Sequence, residues 1–295
     1  MKLLVTGATG FIGNQLVAKA LHAGHEVTVI VRDTKRVLKY DWSDQVDIIE
    51  ADIEQAESSW PDSIAIHDAL VHLAWSGLPN YQADFHLEQV LPAHKQFLRQ
   101  LIEKGIQQIL VAGTCLEYGK QEGCLSESMT TYPETPYAIA KDQLREWLKS
   151  LQKPFGFTLQ WCRLFYMHGV GQNANSLLSQ LDVAITNGES VFNMSGGQQQ
   201  RDFLPVELVA QYLLEVVERQ DFDGILNICS GKPITVLELV KKFTEARHST
   251  IKLNLGYYSY PEYEAMAFWG DTEKLKQLVS VPRNMTLGES NESSS

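Results

Sequence analysis

The chain is short of cysteine, short of basic residues and without a long apolar run, and each shortage removes a class of protein. Its four cysteines, Cys115, Cys124, Cys162 and Cys229, form no Cys-x-x-Cys pair. Neither a zinc site nor a disulfide frame is expected; the thiols read as reduced, buried or neutral side chains. Lysine and arginine number 25 against 36 aspartates and glutamates, a formal net charge of −11 with histidine neutral. Nucleic acid and anionic lipid are therefore not expected as partners, although a local basic pocket for phosphates stays open. No stretch approaches the roughly 18 apolar residues of a membrane span, and the opening MKLLV reaches Thr6 and Gly7 before a signal-peptide core can form. A cytoplasmic protein with no membrane partner is the expectation. No metal cluster, internal repeat or long low-complexity linker stands out. The Asn-x-Ser/Thr triplets at Asn193, Asn284 and Asn291 read as chance, and the closing GESNESSS reads as a frayed tail over 289–295.

With 295 residues, 44% of them hydrophobic, the chain can bury a full core, as one large α/β domain or one domain with a substrate-binding lobe. Lys2 to Thr6 is a short apolar run suited to a strand buried on both faces. Phe11 to His22 has Ile12, Leu16, Ala20 and Leu21 at helical spacing, and Val27 to Val31 returns to strand. That order is a βαβ unit with a right-handed crossover. Further strands are expected at Asp47 to Ala51, Ala69 to Leu73, Ile109 to Ala112 and Thr158 to Arg163, with helices around Leu87 to Lys104 and Tyr137 to Leu151. The fold class is thus α/β, a doubly wound parallel sheet of Rossmann type. After Arg163 the rhythm loosens into HGVGQNAN and helices near Ser176 to Asn187, Pro205 to Arg219 and, as the terminal one, Thr235 to Ala246. Residues 1–164 are read as the dinucleotide-binding domain and 165–288 as a smaller substrate-binding lobe, with some segments returning to the sheet.

Gly7, Gly10 and Gly13 follow a buried strand and open a helix. In that context Gly7 makes the tight turn, Gly10 lets the backbone approach a pyrophosphate, and Gly13 lets helix and strand pack closely. Tyr137 and Lys141 are four apart on an expected helix and so share a face. An ammonium beside a phenol stabilises phenolate, so Tyr137 is expected to be acidified from about 10 toward working pH.

Several segments together resemble the extended short-chain dehydrogenase/reductase family, whose members include nucleotide-sugar epimerases, dehydratases and ketoreductases. They are GATGFIG (Gly7 to Gly13), ADI (Ala51 to Ile53), HLAW (His72 to Trp75), AGTCLEYG (Ala112 to Gly119), PYAIAK (Pro136 to Lys141), RLFYMHGVGQ (Arg163 to Gln172) and RDFLPVELVA (Arg201 to Ala210). The resemblance spans nearly the whole chain. It implies a nicotinamide dinucleotide held by Gly7, Thr9, Gly10, Phe11, Ile12 and Gly13, with Asp52 and Ile53 beside the adenine and Leu73, Ala74 and Trp75 under the nicotinamide half. Trp75 equally fits a plain core role. Family members that use NAD carry an acid at the end of the second strand; here that position is Val31, followed by Arg32. A guanidinium binds a ribose 2′-phosphate through a charge-assisted fork, so NADP is favoured, with NAD still possible through Asp33.

The resemblance also implies a catalytic triad of Thr114, Tyr137 and Lys141. Thr114 would orient the reacting oxygen, Tyr137 would exchange its proton, and Lys141 would hold the nicotinamide ribose. Cys115, Tyr166, His168 and Arg201 fall on substrate-contacting positions, with Arg201 gripping the phosphates of a nucleotide diphosphate sugar; a surface salt bridge to Asp202 is its competing role. Asn227 reads as a structural turn residue. The sugar 4,6-dehydratases carry Asp-Glu directly after the catalytic threonine, whereas this chain has Cys115 and Leu116, which argues against water loss. The family's RxxNxYG segment has Tyr166 in place of its asparagine and His168 in place of its tyrosine. The function implied is NADPH-dependent reduction of a nucleotide-linked 4-keto-6-deoxyhexose, by a homodimer joined through helices near Leu87 to Lys104 and Tyr137 to Leu151. A nucleotide-sugar 4-epimerase with tightly held NAD and a non-catalytic NAD(P)-sensing protein are the alternatives.

Overall fold

Leu3, Leu4 and Val5 are shut off from solvent on both faces of the first strand, as an uninterrupted apolar run in a parallel sheet requires. A computed structural model describes residues 1–55, 60–260, 262–263 and 265–280. The expected tail over 289–295 and the triplets at Asn284 and Asn291 lie outside these residues, as does the end of the proposed 165–288 lobe.

The first half runs β1 (Lys2–Thr6), α1 (Phe11–His22), β2 (Glu26–Val31), β3 (Asp47–Glu50), β4 (Ala69–His72), α2 (Leu91–Glu103), β5 (Gln108–Thr114), β6 (Gly123–Leu125), α3 (Pro136–Phe155) and β7 (Thr158–Leu164). The rest adds β8 (Tyr166–His168), α4 (Leu177–Thr186), β9 (Val191–Asn193), β10 (Gln200–Pro205), α5 (Val206–Glu218), β11 (Gly224–Ile228), β12 (Pro233–Thr235), α6 (Val236–Ala246), β13 (Lys252–Asn254), β14 (Phe268–Gly270) and α7 (Glu273–Leu278).

Seven strands form one parallel sheet in the order β11-β7-β5-β4-β1-β2-β3. One face carries Leu3, Val5, Val29 and Val71 against Leu16 and Val17 of α1 and Leu213 of α5. The other carries Leu4, Leu70, Val111 and Trp161 against Leu98 of α2 and Leu144 and Leu148 of α3. Each such side chain contributes roughly 1.5–3 kcal/mol by leaving water, so the two clusters fix the sheet between its helix layers. Because all seven strands point the same way, Thr6, Val31, His72, Thr114 and Leu164 end at one edge, and the loops that leave them build one crevice.

Several details differ from the sequence reading. Thr235 to Ala246 is not the terminal helix, since β13, β14 and α7 follow it. The stretch expected as one helix from Leu87 begins instead as a wider turn over His86–Val90 before α2 takes over. The short strands outside the large sheet are not in the sequence reading: β12-β10-β8 form a small sheet, while β9 pairs β13 and β6 pairs β14. Beneath them Leu178, Leu181, Phe192, Met194, Leu239 and Val240 make a second core. The loop after β8 reaches back to the first turn of α1, where a Cβ on Gly171 would touch the Phe11 ring at 3.9 Å.

Candidate active site

The crevice begins at the glycine turn. Gly7 has φ +74, and a Cβ on it would lie 2.7 Å from the Ala74 nitrogen and 2.9 Å from the Leu73 carbonyl carbon. Only glycine lets β1 leave the sheet so close to the segment after β4. A Cβ on Gly13 would land on the Gly7 carbonyl oxygen, so α1 rests directly on the turn. Gly10 is exposed and N-caps α1 without a side-chain hydrogen bond, and no acid occupies the helix's first turn. The first amides of α1 are thus free of side-chain caps and carboxylate competition, which fits the pyrophosphate of a dinucleotide. Thr9 is fixed from outside: the Tyr40 hydroxyl donates to its carbonyl at 2.9 Å, and Tyr40 stacks on Trp42, whose Nε1 donates to Asn14 at 2.8 Å.

At the end of β2, Arg32 is exposed, while the Asp33 carboxylate accepts the Lys35 amide at 2.9 Å as a turn cap. Asp52 accepts the Glu54 amide at 3.0 Å, and Ile53 packs on the core between sheet and α2. Leu73, Ala74 and Trp75 follow β4 along the floor of the crevice, with the Leu73 amide bonded to the Thr6 carbonyl at 3.2 Å.

Thr114 ends β5 and caps the turn Cys115–Tyr118. Thr135 caps α3 by accepting the Ala138 amide at 3.2 Å, and Pro136 sits where its missing N–H costs nothing. That start sets Tyr137 and Lys141 on the buried face of α3. The Tyr137 phenol and the Thr114 side chain lie near enough for the threonine to favour the ionised phenol. The Lys141 ammonium donates to the Ala112 carbonyl at 2.9 Å and lies 3.9 Å from the centre of the Trp75 ring. Trp75, Tyr81 and His86 stand around Tyr137 at ring distances of 5.9, 5.4 and 5.4 Å. Trp75 is therefore part of this cluster and not only core.

The expectation of an acidified phenol is corrected. Burial, the largest effect, pushes the Tyr137 phenol well above its ordinary range; Tyr81, Glu117 and Cys115 add to the rise, and Thr114 only partly offsets it. The same burial pulls the Lys141 ammonium down to about 7, with Glu117 working the other way. Removing charge from water outweighs the attraction between the two groups.

Behind Trp75 runs a buried chain. Thr6 Oγ1 meets His72 Nδ1 at 2.8 Å, His72 Nε2 meets His94 Nδ1 at 2.8 Å, and His94 Nε2 meets Glu54 Oε1 at 3.4 Å. Ser76 donates to the other Glu54 oxygen at 3.0 Å. Burial holds His72 well below the ordinary histidine range and His94 below it. The His94 hydrogen bond holds the Glu54 carboxyl below its usual range.

On the far side, Cys115 is buried in a cluster with Tyr118, Phe165 and Phe268, against which Tyr166 packs. Arg201 is buried too; its Nη1 donates to the carbonyls of Gln200 at 2.8 Å and Met266 at 3.3 Å, and its guanidinium lies 4.5 Å from the Phe268 ring and 5.6 Å from the Tyr166 ring. The competing surface salt bridge to Asp202 is not formed: that carboxylate takes the amides of Ser230 and Gly231 at 2.7 and 2.8 Å. His168 follows two residues after Tyr166 in β8, and its buried Nε2 has no partner among the described residues. Asn227 lies within β11 and not in a turn; it accepts the Tyr118 hydroxyl and donates to the Leu125 carbonyl, each at 2.8 Å. The site residues absent from the sequence reading are Tyr81, His86, Glu117 and the His72–His94–Glu54 chain. Of these only Glu117 had a local signal, the Thr-x-x-Glu capping pattern beginning at Thr114.

Residues 3–229 match the model of a family described as the NAD dependent epimerase/dehydratase family. A dTDP-6-deoxy-L-talose 4-dehydrogenase (NAD(+)) of Aggregatibacter actinomycetemcomitans is 30% identical over 278 residues, covering 92% of this chain and 99% of that protein. A dTDP-4-dehydro-6-deoxyglucose reductase of Escherichia coli is 24% identical over 265 residues, covering 81% of this chain and 79% of that one. Among solved structures, a UDP-glucuronic acid 4-epimerase from Bacillus cereus, in complex with UDP-glucuronic acid and NAD, superposes with a TM-score of 0.84 at 21% identity over 95% of its chain and 97% of this one.

Proposed function

The chain belongs to the NAD dependent epimerase/dehydratase family, and on that premise we propose that it reduces the 4-ketone of a nucleotide-linked 4-keto-6-deoxyhexose with NADPH. The observation that carries this reading is the cluster at the strand ends: Thr114 closes β5, Tyr137 lies on the buried face of α3, and Lys141 is held to the Ala112 carbonyl at 2.9 Å, which places a phenol to donate a proton. The dinucleotide would be held by the α1 amino terminus, Arg32, Asp52 and the Leu73–Trp75 floor, and when bound it supplies the hydride. Thr114 holds the ketone oxygen beside Tyr137. Tyr137 gives its proton to that oxygen as the hydride reaches carbon, and takes a proton back from water. Lys141, fixed by Ala112 and Trp75, stabilises the phenolate left behind. Trp75, Tyr81 and His86 keep water from the reacting centre.

The relatives support the substrate class. The dehydrogenase at 30% identity is named for the reverse reaction at the same carbon of a 6-deoxy sugar, and the reductase at 24% for the forward one. For the cofactor, the capped carboxylate of Asp33 leaves Arg32 as the group suited to a 2′-phosphate, which favours NADP within a family named for NAD. We assign Cys115, Tyr166, His168 and Arg201 to the sugar side of the crevice. Residues 1–164 would hold the dinucleotide and the lobe from 165 the sugar, with β11 returning to the sheet. No helix among the described residues is long and apolar enough to cross a membrane, and we favour a cytoplasmic homodimer joined through α2 and α3, where Lys95 covers Trp147 and Arg99 covers Phe155.

The test is a panel of 4-keto-6-deoxyhexoses on different nucleotides, assayed with NADPH and NADH, with product stereochemistry read by NMR. Stoichiometric NADPH consumption and a new 4-hydroxyl are expected. Purified protein that carries tightly held NAD, interconverts 4-epimers and consumes no NADPH would overturn the reading in favour of the epimerase.

A further inference from the structure

Glu117 lies in the turn that Thr114 caps and is fully buried. Its Oε1 accepts the Thr114 backbone amide at 2.9 Å, Trp161 Nε1 reaches its two oxygens at 3.0 and 3.1 Å, and Arg163 Nε donates to Oε2 at 2.7 Å. On α3, Tyr137, Lys141 and Arg145 are spaced four apart and form one stripe; the last of them brings its Nε to 3.8 Å from Glu117 Oε2. The remaining Arg145 nitrogens are held by Asp142 and Glu146.

We propose that Glu117 is a positioning residue for the reaction: its carboxylate fixes the Thr114 amide at the turn that carries the threonine hydroxyl, and its negative charge stands beside the α3 stripe that bears Tyr137 and Lys141. The proposal deepens the reductase reading and rests on it for the roles of Thr114, Tyr137 and Lys141. A neutral acceptor would cap the Thr114 amide equally well, and a buried carboxylate is costly unless it is paired and hydrogen-bonded. The charge, however, has a use that a neutral cap lacks. It disfavours the Tyr137 phenolate and favours the Lys141 ammonium, the two protonation states that a reduction needs at its start. The other groups facing Tyr137 are Tyr81 and Cys115, which act in the same sense, Thr114, which acts against it, and Lys141 with the rings of Trp75 and His86.

Two substitutions in the full chain separate the charge from the hydrogen bond. Glu117→Gln keeps an oxygen for the Thr114 amide and removes the charge. The alkaline limb of kcat/KM for keto-sugar reduction should move to lower pH by about half a unit to one unit, because both Tyr137 and Lys141 then lose their protons earlier. Glu117→Asp keeps the charge but shortens the reach. The limb should stay in place while kcat falls roughly tenfold or more, as a misplaced orienting group predicts. A limb unmoved in Glu117→Gln, or a wild-type kcat in Glu117→Asp, overturns the proposal; so does a loss of thermal stability with both readouts unchanged.

NADPH affinity measured against pH is the second arm and needs no turnover. Its alkaline decline, which follows loss of the Lys141 charge, should move to lower pH in Glu117→Gln. If the wild-type chain binds NADPH yet reduces no keto sugar, the reductase reading fails, and coincident binding curves for wild type and Glu117→Gln would sink the proposal by themselves. Should Glu117→Gln not fold, Glu117→Asp decides alone: a wild-type kcat, or an alkaline decline of NADPH affinity moved to lower pH although the charge is kept, overturns it.

Discussion

Adding one methyl group at Gly7 should damage both folding and cofactor binding, and a neighbouring glycine supplies the control. Gly7→Ala places a Cβ at φ +74, 2.7 Å from the Ala74 nitrogen, where ordinary contact begins at 3.4 Å. The left-handed conformation costs about 1–2 kcal/mol for an L side chain, and forcing backbone apart by about 0.7 Å adds roughly 1–3 kcal/mol. Gly24→Ala meets the same kind of strain at φ +82 with nothing within 4 Å. Its net cost is smaller still, because alanine narrows the unfolded ensemble by about 0.4–1 kcal/mol. The difference between the two variants isolates the contact. It predicts a melting temperature for Gly7→Ala roughly 2–12 °C below that of Gly24→Ala, at about 2–4 °C per kcal/mol for a chain of this size. The displaced segment is also the floor under the proposed dinucleotide, so NADPH affinity should fall about tenfold or more in Gly7→Ala, a loss of at least about 1.4 kcal/mol. Gly24→Ala should bind normally. Differential scanning calorimetry and fluorescence titration with NADPH read the two effects. Melting within about 2 °C of the control, together with affinity within about twofold, would refute the contact geometry and the cradle together.

Tyr137→Phe should lower kcat by about 10²–10⁴ while NADPH affinity stays within a few-fold, as single-turnover kinetics and a binding titration can show; full turnover would remove Tyr137 from the chemistry. Arg32→Ser should weaken NADPH by roughly tenfold or more and leave NADH nearly unchanged, since a charge-assisted hydrogen bond contributes about 1.5–3 kcal/mol; equal losses for both cofactors would place the 2′-phosphate elsewhere. Stability should fall steeply below pH about 6.5, the unfolded histidine value. His72 and His94 are neutral in the fold because burial lowers both, so the unfolded chain binds up to two more protons there, a slope of up to about 2.7 kcal/mol per pH unit. Urea unfolding followed against pH checks this, and His94→Gln should flatten the slope by about half; an unchanged slope would mean that the histidine titrates normally.

The first βαβ unit was legible almost residue by residue because each signal was local. The apolar run Lys2 to Thr6, the glycines that end it and the periodic positions of Phe11 to His22 all lie within one stretch, and β1 and α1 have the expected bounds. The short strands outside the large sheet were not legible, because all but the six-residue β10 are three residues long with no room for a period, and their partners are distant: Phe268 of β14 pairs with Gly123 of β6. The candidate site divides the same way. Tyr137 and Lys141 share a helical face, as their spacing says. The direction in which the Tyr137 proton is shifted depends on burial by Trp75, Tyr81 and His86, which nothing near Tyr137 in the chain announces. Glu117 stood in plain view within AGTCLEYG, yet its partners Arg163 and Arg145 belong to β7 and α3.

The buried histidines clarify why, among the bases behind Trp75, Lys141 is the one that can carry charge. The Ala74 amide points at Thr6 Oγ1 at 3.4 Å and can only donate, while the ionised Glu54 at the other end can only accept. With both rings neutral, the Glu54 end sets the direction of the bonds, and the Thr6 hydroxyl, which can accept the Ala74 amide and still donate, completes the chain. Thr6 donates to His72 Nδ1, His72 Nε2–H to His94 Nδ1, and His94 Nε2–H to Glu54, with each ring neutral and protonated on Nε2. A second proton on either histidine would place a charge deep inside the fold, and burial is the largest effect that keeps both rings neutral. Lys141 reinforces this, because its charge lowers both histidines further. Glu117 in turn favours the ammonium. Of the three buried bases His72, His94 and Lys141, the two histidines are held neutral chiefly by burial, and the carboxylate of Glu117 favours the charge on the one that lies four residues from the Tyr137 phenol.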